Sequence, residues 1–255
     1  MDIFDNTILQ INEWMRRKIE RGEAREFYPS PAADSAPMLR SEPSIILKED
    51  TQLELGHPAA GSCYGVLATH DSTLVHGGRV TLVGPDICDA RADRLPFAQI
   101  ALSRCTGDIQ ETASLIDRTL HTSAPTDGYM LRSAPDRIWA RVSKQAARSG
   151  FSLLDVGARL LHALSRADTG ITASEILFVT TSREDVSSLA DIVEPARQKL
   201  RKLTQYVRAD DGSYECASAL DCTECPEKPV CDNIREVIKI RKGDRIIVLG
   251  DPAET

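Results

Sequence analysis

Residues 63–103 read CYGVLATHDSTLVHGGRVTLVGPDICDARADRLPFAQIALS, and this stretch decides the fold. Three apolar runs, CYGVLATH, RVTLV and FAQIALS, are short and are separated by breaks rich in Gly, Pro and Asp. That is the pattern of successive strands rather than of helices. Gly77-Gly78 between the first two runs reads as a turn, and Asp86, after Gly84-Pro85, as a turn or cap residue.

Outward from this block, SIIL (44–47) and QLEL (52–55) read as two further strands, and residues 29–43 (PSPAADSAPMLRSEP) as a proline-rich extended connector. Ahead of it, Phe4, Ile8, Ile11, Met15 and Ile19 recur at helical spacing, with Asp5 and Asn6 as candidate caps. Arg16, Arg17, Lys18 and Arg21 lie on the other face, a solvated charge run. On the C-terminal side a helix is expected from Asp108, where Asp108 and Glu111 have capping-box spacing. A strand at RIWARVS, a helix over 152–166 and a strand at EILFVTT follow. Val186, Leu189, Val193, Ala196, Leu200, Leu203 and Val207 then mark a helix capped by Ser182 and Asp185, with Pro195 predicting a kink or two shorter helices. EVIKI and DRIIVLG read as a terminal hairpin. The expected class is α+β: a mixed β-sheet with packed helices, plus a small C-terminal cysteine-rich metal-binding loop and hairpin. The expected organisation is a helix and connector over 1–43, an α+β domain over 44–208 and a cysteine-rich appendage over 209–255.

With 255 residues, 42% of them hydrophobic, the chain can bury a real core. Its net charge of −7 offers no electrostatic case for nucleic acid. No apolar run approaches the roughly 18 residues that span a bilayer, and the acidic, amphipathic start lacks the order of a signal peptide. The expectation is a cytoplasmic protein without membrane or nucleic-acid partners. The basic stretch Arg197, Lys199, Arg201, Lys202 and Arg208 complements a helix C-terminus. The five histidines have no metal-ligand spacing, and no G-x-S-x-G, P-loop or G-x-G-x-x-G occurs.

The seven cysteines divide. Cys63, Cys88 and Cys105 are scattered and read as ordinary buried thiols. Cys216, Cys222, Cys225 and Cys231 cluster as C-x5-C-x2-C-x5-C, which in a reducing compartment points to a metal site rather than a disulfide. Four thiolates suit a [4Fe–4S] cluster, with zinc as the alternative. Structural zinc commonly uses two C-x2-C knuckles, and only one is present here.

DTQLELGHP (50–58), STLVHGGRVTLVGPDI (72–87), DRIWARVSK (136–144) and the helix ARQKLRKLTQYVR leading to C-T-E-C and a later V-C occur in this order. In these segments the chain resembles the β subunit of the carbon monoxide dehydrogenase/acetyl-CoA synthase complex, the acetyl-CoA synthase family. The resemblance implies an α+β module involved in binding coenzyme A, followed by a cluster domain in which a [4Fe–4S] cubane is bridged to two nickel ions. By position, Cys222, Cys225 and Cys231 are implied as three cubane ligands; the family's fourth cysteine lies outside this triplet, no cysteine follows Cys231, and the fourth thiolate is therefore expected from Cys216. Trp139 falls in the segment associated with coenzyme A, alongside Arg137 and Arg141, whose guanidinium groups suit phosphates. The family's Cys-Gly-Cys nickel site has no counterpart, because no C-x-C occurs, and a complete nickel domain is not expected from the residues after Cys231. The implied role is an accessory or electron-transfer component of acetyl-CoA or one-carbon metabolism, with another metalloprotein or redox protein as partner. The alternative is a non-catalytic interaction module whose cysteine loop is a structural knob.

Overall fold

The computed structural model describes residues 2–29, 46–123, 128–134, 137–167, 170–204, 207–208 and 214–215. The chain divides into two units, Met1–Leu200 and Arg201–Thr255.

In the first unit, helix α1 (Asp5–Glu20) leads into strand β1 (Ala24–Phe27). Strands β2 (Thr51–Leu55), β3 (Ser62–Thr69), β4 (Arg79–Val83), β5 (Arg94–Leu95) and β6 (Phe97–Cys105) follow. After helix α2 (Ile109–Ser123) come β7 (Tyr129–Ala134), β8 (Arg137–Ser143), α3 (Lys144–Arg148), α4 (Leu153–Arg166), β9 (Ile171–Val179) and α5 (Arg183–Thr204). The larger sheet has the order β1-β4-β9-β6-β3, and the smaller one the order β5-β2-β8-β7. In the larger sheet β3 runs parallel to β6 and β4 parallel to β9, while β6 and β9 are antiparallel. The mixed-sheet α+β expectation therefore holds.

Both faces of the larger sheet are covered. On one face Gly157 of α4 lies against Val80 and Phe178, and Asp117 of α2 bonds the Tyr64 hydroxyl at 2.6 Å. On the other, Val193 of α5 lies over Gly65, and Asp5 of α1 accepts from Thr69 Oγ1 at 2.7 Å. Strands covered on both faces read as continuous apolar runs, which explains the unbroken burial of residues 63–69. Phe4, Ile8, Ile11, Trp14 and Met15 place the apolar stripe of α1 in this same core.

The helix starts follow local chemistry. Asp108 Oδ1 accepts the Gln110 and Glu111 amides, each at 2.9 Å, and Ser182 Oγ accepts the Asp185 amide at 3.1 Å. Each satisfies an otherwise orphaned donor of the first turn. Asp5 instead lies within the first turn of α1, 5% exposed, and serves Thr69. Pro195 sits inside α5 without dividing it; buried Val186, Leu189, Val193 and Ala196 hold both sides of the proline to the core. Ile46 and Leu47, expected in a strand, belong to none. Strands β1, β5 and β7 and helix α3 add to the expected elements, and Val207, expected on the last helix, lies beyond its end at Thr204. Gly77 and Gly78 form the expected turn with φ of 91° and 71°, a region glycine enters without steric cost.

In the second unit, β10 (Val207–Arg208) pairs with β11 (Tyr214–Glu215) in an antiparallel two-stranded sheet. The proline-rich connector beyond Pro29, the four clustered cysteines and the expected terminal hairpin lie outside the described residues.

Candidate functional site

The sequence places Trp139 and Arg141 on a strand, and β8 shows why they share a face. Ile138, Ala140 and Val142 are fully buried on one side, so the alternation turns Trp139 and Arg141 to the other, where both are half-buried. Arg137 is the first residue of β8. Across the small sheet, Arg141 stands opposite Glu54 of β2, and Glu54 opposite Arg94 of β5. On the other flank Trp139 stands opposite Arg132 of β7.

The side chains meet as this register requires. Arg141 Nε donates to Glu54 Oε1 at 3.0 Å, and an Arg141 Nη donates to the Ile46 carbonyl at 3.0 Å. The guanidinium carbon lies 4.6 Å from the Trp139 ring centroid, within reach of a cation–π contact. The other Glu54 oxygen faces Arg94 Nε at 3.4 Å. The result is an Arg–Glu–Arg row, carrying one net positive charge, beside an indole. Gly56 lets this row form: a Cβ there would lie 2.2 Å from the Ile138 carbonyl oxygen, and its φ is +69°. The glycine in the motif LGHP thus lets the end of β2 pass close over the residue before Trp139.

Two other stretches singled out in the sequence are structural. Glu175, 4% exposed, receives the His76 and Gly77 amides at 2.9 and 3.2 Å and pairs with Arg79, so it braces the glycine turn. Asp86 caps the 3-10 turn Ile87–Asp89 and receives the Leu153 amide and the Ser152 hydroxyl at the start of α4.

Among the described residues no group of three or more His, Cys, Asp or Glu side chains can hold a metal ion. Cys63 and Cys105 are buried, and burial pushes the Cys63 thiol up to about 12. Cys88, expected to be buried, is exposed; the turn Ile87–Asp89 buries Ile87 and leaves its neighbour outside. No described helix is long and apolar enough to cross a membrane. Sequence reasoning missed Glu54 and Arg94 because only the pairing of strands distant in the chain brings them here, and Arg132 because β7 was not expected as a strand.

Comparison with known proteins gives this geometry a lineage. The acetyl-CoA decarbonylase/synthase complex subunit beta of Methanothermobacter thermautotrophicus is 32% identical over 130 residues, covering 49% of this chain and 27% of the relative. The protein of the same name from Methanopyrus kandleri is 24% identical over 207 residues, covering 76% of this chain and 44% of the relative. The chain thus spans less than half the length of these curated relatives. Residues 34–186, more than half of the chain, match the family model described as CO dehydrogenase/acetyl-CoA synthase complex beta subunit. The chain belongs to that family.

Proposed function

We propose that this chain is an accessory, iron–sulfur-binding member of the acetyl-CoA synthase β-subunit family that binds coenzyme A on the exposed face of its small sheet. The observation that carries the reading is the half-buried Trp139 ring, held beside Arg141 on a face that also presents Arg94 and Arg132. An aromatic ring offers a stacking surface to a nucleobase, and guanidinium groups offer paired donors to phosphates. Arg137, at the start of the same strand, belongs to this proposed set.

Cys216, Cys222, Cys225 and Cys231 are the proposed ligands of a [4Fe–4S] cluster, because four thiolates are the donor set that cluster takes. When bound, such a cluster supplies one-electron transfer. The role fits the cytoplasm and a larger metalloprotein or redox protein as partner, the relatives being named as subunits of a complex.

Calorimetric titration of the anaerobically purified protein with coenzyme A tests the ligand. Micromolar binding lost in Trp139→Ala supports the reading, and no binding at millimolar concentration rejects it. Analysis of the same preparation should find about four irons and four sulfides per chain, lost in Cys222→Ser or Cys225→Ser. A colourless, zinc-loaded protein would instead make the cysteine segment a structural knob of an interaction module.

A further inference from the structure

The arginines around Trp139 are not equivalent. Arg141 has its Nε on Glu54, an Nη on the Ile46 carbonyl and its guanidinium over the indole. Its side chain is only 21% exposed, and Glu54, which neutralises it, is 13% exposed. A phosphate approaching Arg141 meets the Glu54 carboxylate at hydrogen-bonding distance from the same guanidinium, and that repulsion offsets the attraction. Arg132 differs in each respect. It is exposed, it stands directly across the strand pair from Trp139, and no described residue bonds or ion-pairs with its side chain. Directly paired residues have Cβ atoms about 5 Å apart, well within the reach of an arginine.

Resting on the coenzyme A reading, we propose that Arg141 is a positioning residue that fixes the Trp139 indole through Glu54 and Ile46, while Arg132 is the cation that meets the ligand's phosphates. The ligand portion recognised here is the phosphorylated nucleotide: its base lies against the indole and its phosphates on the β7 side of the ring. Arg94, 47% exposed and 3.4 Å from Glu54, lies on the far side of Arg141 from Trp139 and contributes field rather than contact.

The test uses the full chain labelled with 5-fluorotryptophan, which has two tryptophans, Trp14 and Trp139. The fluorine resonance of Trp139 is assigned by its loss in Trp139→Phe. Arg132→Gln should weaken coenzyme A and adenosine 3′,5′-bisphosphate by about tenfold or more, leave the weak binding of phosphate-free pantetheine unchanged, and not move the Trp139 resonance of the free protein. Arg141→Gln should shift or broaden that resonance before any ligand is added, and Arg141→Lys, which keeps a cation over the ring, should largely restore it. Coenzyme A affinity unchanged in Arg132→Gln overturns the phosphate assignment, and an unmoved resonance in Arg141→Gln overturns the positioning role. If the unsubstituted protein binds no coenzyme A, the ligand reading falls and takes the Arg132 assignment with it. The positioning role is then decided by the ligand-free resonance alone.

Discussion

The Asp86 carboxylate accepts the Leu153 backbone amide at 2.9 Å, across 67 residues of sequence. The same group takes the Ile87 amide at 2.7 Å and the Ser152 hydroxyl at 2.6 Å, in a position 3% exposed. One side chain thus joins the turn after β4 to the N-terminus of α4, where a negative charge also suits the helix dipole. Asp86→Ala strands buried donors and is expected to cost about 3 kcal/mol or more, since a single bond to a charged group already contributes about 1.5–3 kcal/mol. Urea unfolding measures it; a loss below 1 kcal/mol would show that the link is dispensable.

Gly157 on α4 has no room for a side chain. A Cβ would lie 2.5 and 2.9 Å from the two Val80 methyl groups and 3.1 Å from Phe178 Cε2. Alanine favours a helix over glycine by about 1 kcal/mol, but overpacking a core costs about 1–3 kcal/mol. Gly157→Ala should therefore destabilise by about 1 kcal/mol net. A raised melting temperature would mean that α4 can lift from the sheet at little cost.

Gln99 is 1% exposed, in register with Tyr64 on one side and Phe178 on the other, and neither amide atom has a hydrogen-bond partner among the described residues. A buried, unpaired polar group costs about 1–3 kcal/mol. Gln99→Met, close in volume and without the amide, is expected to raise stability by about 1 kcal/mol in urea unfolding. A loss of similar size would reveal that the amide is satisfied.

His70 has an acceptor at each ring nitrogen: Gly107 carbonyl oxygen at 2.8 Å and Asp2 Oδ2 at 3.1 Å. Both bonds need a proton on each nitrogen, hence the imidazolium. The Gly107 hydrogen bond and, after it, Asp2 raise the histidine above its ordinary 6.5. A raised folded value means that the stabilisation is complete below about 6.5 and is lost as pH rises through the higher value. Hydrogen exchange of the first turn of α1 should accelerate across that window. His70→Gln should flatten the dependence, and an unchanged profile in that variant would exclude His70 as its source.

Legibility in the sequence followed the range of the interaction. The starts of α2 and α5 were readable because Asp108 and Ser182 act on amides two or three residues away. The strands β3, β4, β6 and β9 were readable because burial on both faces leaves uninterrupted apolar runs. By contrast β1, with sequence AREF, pairs with β4 on one edge and is largely exposed, so no apolar pattern marks it. Strand β7 takes its identity from pairing with β8. The same reason divides the candidate site. Alternation along RIWARVS places Trp139 and Arg141 on one face, but nothing local joins them to Glu54 or Arg94, and Arg132 joins them only through the unexpected strand β7. The basic run that begins within α5 starts at Arg197, which is 8% exposed and paired with Glu194 at 2.8 Å, a burial that charge alone would not suggest.

The place of β9 in the larger sheet has a consequence for how the chain acquires its structure. Strands β4 and β6 do not pair with each other; each pairs with β9, which begins 66 positions after the end of β6 (171 − 105) and further still after β4. During synthesis the β1–β4 and β3–β6 pairs can form as two separate half-sheets, each exposing an apolar edge until Ile171–Val179 emerges. Such edges are sites of intermolecular pairing, and long-range pairing of this kind slows folding. The keystone strand arrives after most of the unit it completes, so the yield of folded protein should depend more on protecting that gap than on the stability of the finished sheet.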